Sequence, residues 1–146
     1  MQAYKAILAA AVCLVALQMT SAAQDSSLEA AKSAYEKGDY HKAIDNLTNY
    51  RGDDNMAAAE ALGSTADAYV ELKDYDKAET YFKKAADKAN NKFLTPVYLK
   101  KLGLVYEAQN DNKSADDTYK RIKSEYPDSQ QAQNIDEYIA RAEAKL

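Results

Sequence analysis

Three stretches of this chain align with one another, and that self-similarity narrows its possible folds more than any single residue does. Residues 28–50 read LEAAKSAYEKGDYHKAIDNLTNY, residues 62–85 read LGSTADAYVELKDYDKAETYFKKA, and residues 99–122 read LKKLGLVYEAQNDNKSADDTYKRI. Anchored on Ala43, Ala78 and Ala115, they recur after 35 and 37 residues. A period of that length is the signature of stacked supersecondary units, each burying its apolar face against the next.

Inside each segment, apolar and small residues recur three and four apart, break at a short polar corner, and resume the same spacing. The pattern is two amphipathic helices joined by a tight turn. The corners fall at Lys37-Gly38-Asp39-Tyr40, Leu72-Lys73-Asp74-Tyr75 and Asn110-Asp111-Asn112, where Gly, Asp and Asn supply left-handed or capping conformations. Between units stand Arg51-Gly52-Asp53-Asp54-Asn55, Asn90-Asn91 with Thr95-Pro96, and Pro127-Asp128-Ser129. Thr95 followed by Pro96 reads as a helix start, with Thr as the cap and Pro at the first helical position, where an N–H is not needed. Hairpins are therefore expected over about 25–54, 59–92 and 96–127. Residues 129–145 give a further helix with Ala132, Ile135, Ile139 and Ala142 on one stripe, expected to cap the exposed face of the last hairpin.

The pattern resembles the tetratricopeptide repeat, a helix-turn-helix unit of 34 residues, across roughly residues 25–127. The third unit carries the resemblance through Leu102-Gly103, Tyr106, Ala115, Tyr119 and Pro127. The second supplies Ala66, Tyr69, Tyr75, Ala78, Phe82 and Ala85, and the first Ala31, Gly38, Tyr40, Ala43 and Leu47. Three departures stand out. Ala34 occupies the place of Tyr69 and Tyr106, while Tyr50 and Ile122 replace a usual small residue, so looser packing between neighbouring hairpins is expected at both. The resemblance implies an all-α fold, a right-handed superhelical array of three hairpins with a C-terminal capping helix.

Residues 1–23 form a separate piece. A short basic start is followed by the apolar run Ala6 to Leu17 and by Thr20-Ser21-Ala22-Ala23, the order of a secretory signal peptide. Cleavage after Ala23 is expected, with Ala22 as the alternative. An uncleaved membrane anchor would need roughly 20 apolar residues, and this run has about a dozen, so no stable membrane span is expected after cleavage. The remaining 123 residues form the repeat domain and suffice to bury roughly two thirds of the surface an unfolded chain exposes. Cys13, the only cysteine, goes with the leader, which excludes disulfides, thiol catalysis and cysteine metal sites from the remainder.

That remainder carries 18 basic and 23 acidic side chains, a balance that argues against nucleic acid as a partner. With one His, no Cys and no Trp, it lacks parts for Ser-His-Asp, Cys-His and His-zinc arrangements. His41 lies in a polar corner as a solvated residue. Asp53-Asp54 and Asp116-Asp117 lack the ligand spacing of a calcium loop and read as solvated charge. No cofactor, metal or enzymatic activity is expected.

Function is then sought on surfaces. The resemblance implies that the first helix of each hairpin lines a concave groove that holds a peptide or helix of a protein partner. The outward positions are Leu28, Lys32, Tyr35 and Glu36 in the first unit, Asp67, Val70 and Glu71 in the second, and Lys100, Leu104 and Glu107 in the third. Tyr35 and Leu104 are candidate anchors, with packing against a neighbouring helix as the alternative. Leu28, Lys32, Ser64 and Val97 occupy the places where a carboxylate clamp would want mostly polar and basic groups, which speaks against such a clamp. The leading expectation is an exported scaffold, in a bacterial periplasm or another exported compartment. A structural role as a homo-oligomer is the second reading, and an enzyme built from Asp, Glu, Tyr and Lys the third.

Overall fold

A computed structural model describes residues 22–50, 52 and 54–146, with side chains from Ser26 onward. Among these residues the chain is helical throughout: α1 (Ala22–Glu36), α2 (Tyr40–Thr48), α3 (Asn55–Glu71), α4 (Tyr75–Ala89), α5 (Thr95–Ala108), α6 (Asn112–Glu125), a 3₁₀ turn (Gln130–Ala132) and α7 (Ile135–Glu143). Each helix packs against the next in the sequence, so three hairpins stack and α7 closes the end. The expected leader, Cys13 included, lies outside the described residues apart from Ala22 and Ala23, which open α1.

One local device builds all three corners. Gly38 (φ +78°), Lys73 (φ +61°) and Asn110 (φ +61°) take the left-handed conformation. The following residue, Asp39, Asp74 or Asp111, caps the second helix by accepting from the N–H of Lys42, Lys77 or Ser114 at 3.0–3.2 Å. Its own N–H returns to the carbonyl five residues back, in each case at 2.9 Å. A side-chain oxygen there satisfies a helix N–H that has no partner within the helix.

The start of α5 differs from its expected form. Thr95 does not cap the helix; its hydroxyl accepts from Asn91 N–H at 3.0 Å and donates to Ala86 C=O at 3.4 Å, tying the loop to α4. Asn91 Oδ1 accepts from the N–H groups of Phe93 and Leu94 instead. Pro96 does lie in the first turn. The last helix begins at Ile135, six residues after its expected start, because Ser129 captures the Ala132 N–H and forms a 3₁₀ turn first.

The core has two parts. A large cluster runs through α3 to α7 and includes Ala66, Ala78, Phe82, Ala85, Leu102, Tyr106, Ala115, Tyr119, Ile122, Ile135 and Ile139. A small one holds Ala31, Leu47, Tyr50 and Ala61, with Leu28 packed beside them. Ala43 is fully buried, Tyr40, Tyr69 and Tyr75 are half-buried, and Gly38 and Pro127 are exposed. Gly103 has a steric reason to be glycine: a Cβ there would collide with the Tyr119 ring, itself fully buried. Gly63 plays the same part toward the Tyr98 ring, a close approach that repeat alignment does not reveal. Ile122 is wholly buried, whereas a cavity lies beside Tyr50.

Candidate functional site

The first helices of successive units exchange side chains at a constant separation. Asp67 of α3 accepts from Lys101 Nζ of α5 at 2.7 and 2.9 Å, Lys100 donates to Asn134 Oδ1 at 2.9 Å, and Arg141 of α7 reaches Glu107. All three pairs lie 34 residues apart, so α7 takes the place that a fourth first helix would occupy.

The Asp67–Lys101 ion pair is nearly dry, with side-chain exposures of 3% and 11%. Burial pushes the Asp67 carboxyl above the usual carboxylate range, and Lys101 pulls it back only in part. Beside it, burial raises the Tyr98 hydroxyl, with the charges of Glu60 and Asp67 adding to the shift. Asp67 and Val70, expected to point outward, are instead both buried. A first helix in mid-stack touches neighbours on several sides, which leaves little of its circumference open.

Glu107 is likewise covered. Its Oε1 accepts from Arg141 Nη2 and from the Tyr119 hydroxyl, each at 2.7 Å, and its Oε2 from Arg141 Nε at 2.9 Å, with Lys145 Nζ at 3.6 Å. Burial would raise this carboxyl, but the donors and cations outweigh it and hold Glu107 below the usual range. Lys100 is half-buried, its ammonium 4.2 Å from the centroid of the Tyr138 ring, and burial with the nearby Arg141 charge lowers its pKa. The capping helix thus occupies Lys100 and Glu107, two of the three positions expected to be outward in the third unit.

The remaining candidates are spread over three helices, with Leu104 on α5 between Lys100 and Glu107. Lys32 is half-buried and Glu36 exposed on α1, Glu71 is half-buried at the end of α3, and Leu104 is half-buried on α5. Tyr35 meets Tyr40 of its own hairpin edge-to-face at 5.2 Å, and Leu28 packs onto the small cluster. Burial raises the Tyr40 hydroxyl, and Glu71 adds to that shift, which places the α3 terminus beside the first corner.

Asp116 also departs from expectation. It is buried, with Oδ2 on Lys120 at 2.7 Å, and Lys120 bridges on to Glu143 of α7 at 2.7 Å. Its neighbour Asp117 is exposed beside Lys113. Asp54 caps α3 through the N–H groups of Met56 and Ala57, while Asp53 lies outside the described residues. His41 is exposed in the first turn of α2. Among the described residues no cluster of His, Cys, Asp and Glu could hold a metal ion, and no helix is long and apolar enough to cross a membrane.

A stack of antiparallel helix pairs with a glycine-aromatic contact inside a hairpin and side-chain ties from first helix to first helix defines a helical-repeat solenoid. A tetratricopeptide repeat model matches residues 26–91 and another matches residues 101–129. The chain belongs to the tetratricopeptide repeat family, whose members generally mediate protein–protein interaction and are typically non-catalytic. A search of curated proteins gave no match to this chain.

Proposed function

We propose that this protein is an exported adaptor of the bacterial cell envelope that holds a segment of a partner protein along its first-helix face. Lys32, Tyr35, Glu36, Glu71 and Leu104 form that surface, and the partner segment is amphipathic, with charges of both signs. The observation that carries this reading is the position of α7. It covers Lys100 and Glu107 at one end of the face, whereas among the described residues no helix packs on α1 from the other end. The leader-like residues 1–23 support export.

Tyr35→Ala with Leu104→Ala is expected to cut partner capture from an envelope extract at least tenfold while circular dichroism is unchanged. Undiminished capture by the double variant overturns the surface. Export has its own readout: the chain recovered from envelope fractions should begin at Gln24, and full-length chain confined to the cytosol overturns it.

A further inference from the structure

α2 is short. It spans 9 residues, against 15 for α4 and 14 for α6. Tyr50 aligns with Ala85 and Ile122, which both lie within their helices, yet α2 has already ended. At its end the Thr48 hydroxyl donates to Ile44 C=O at 2.9 Å and the Asn49 amide to Asp45 C=O at 2.8 Å, both carbonyls of the last turn. The space that further turns of α2 would fill is left open between α2, α3 and α4.

That space is a cavity of about 320 Å³, near the lower end of the range for small-molecule sites, roughly 300–1,000 Å³. It lies on the seam between the two parts of the core. Leu47, Tyr50 and Ala61 belong to the small cluster, while Leu62 and Tyr81 pack against the large one. The wall also holds Lys84, whose ammonium lies 5.1 Å from the centroid of the Tyr81 ring. Among the described residues no acidic side chain lines the cavity and Lys84 makes no ion pair. On the same helix, Lys77 and Lys83 are held by Asp74 at 2.8 Å and Glu79 at 2.7 Å.

We propose that this cavity binds a small amphipathic monocarboxylate, its hydrocarbon body against Leu47, Ala61 and Leu62 and its carboxylate on Lys84. Among the described residues, the apolar part of the lining (Leu47, Ala58, Ala61 and Leu62) with one cation that makes no ion pair at its edge matches a ligand of that chemistry, because the charge stays near solvent while the chain is removed from water. A neutral chain of equal length lacks the charge contact, and a cationic one is repelled. The wall takes Ala58, Ala61, Leu62 and Thr65 from α3, a first helix, but none of the residues of the proposed partner surface lines it, so the two readings are tested separately.

Octanoate titrated into methyl-labelled protein tests the assignment. It is expected to shift the Leu47, Ala61 and Leu62 methyl signals saturably, with a dissociation constant on the order of 1 mM for so small a ligand. Octanol should bind at least tenfold more weakly. Lys84→Met should bring octanoate to the level of octanol, and Lys88→Met, an exposed site on the same helix outside the cavity lining, should leave it unchanged. The proposal is overturned if octanol matches octanoate, if Lys84→Met binds octanoate as the parent does, or if the shifts fall elsewhere. Lys84 is exposed, so an unchanged thermal unfolding curve separates loss of the site from loss of the fold.

Discussion

Asp67 stands where sequence reasoning places an outward side chain, and its burial changes what a substitution there should do. Asp67→Ala would strand the Lys101 ammonium in a site where only 11% of that side chain is exposed, and breaking one half of a buried pair costs about 3–5 kcal/mol. Replacing both partners, Asp67→Leu with Lys101→Met, removes the stranded charge and should restore most of that loss. Urea unfolding of the two variants measures the difference; equal losses would mean that the charges are solvated. The misplacement has a physical origin. A helical projection assumes one buried stripe, but α3 buries Ala61, Thr65 and Ala68 on the side opposite Ala59, Gly63, Ala66 and Val70, because neighbouring helices cover it on both sides. Lys73 escaped notice for a related reason: its left-handed φ comes from the corner's geometry and not from any preference of lysine, whereas Gly38 and Asn110 announce the same conformation by residue type.

The hairpins themselves were legible element by element, since each rests on spacing and on an Asp at the corner, both written locally. The limits of α2 and α7 were not: α7 starts late because the Ser129 hydroxyl takes the Ala132 N–H into a 3₁₀ turn, and helical periodicity is blind to that competition. The face covered by α7 was equally hidden, as it depends on pairs 34 residues apart. Those pairs make α7 sensitive to acid. Glu107 titrates below the usual carboxylate value of 4.5 in the folded chain, so its contribution is complete above that value and fades as pH falls through the lowered one. Amide exchange in α7, referred to the rate at each pH, should therefore accelerate below about pH 4.5 before that of α5 does. Glu107→Gln should show raised exchange at neutral pH and little further change on acidification. An α7 whose protection falls in step with α5 in both proteins would contradict this.

Across the whole molecule, the divided core predicts divided stability. The first hairpin rests on a cluster of four buried residues, against the continuous cluster that links α3 through α7, and in a repeat array stability sums over units and their interfaces. Native-state hydrogen exchange should find α1 and α2 opening at a lower free energy than α4 and α6; a single opening energy for all helices would show one cooperative block. The array also has an internal grammar. α5 and α7 each hold the counterpart of a group on the first helix before them, Lys101 for Asp67 and Arg141 for Glu107, so the order of these units is written in charge as well as in the chain. The hairpins are not interchangeable bricks: the second one, transplanted to the end of another solenoid, would carry its buried carboxylate to a place with no ammonium to meet it.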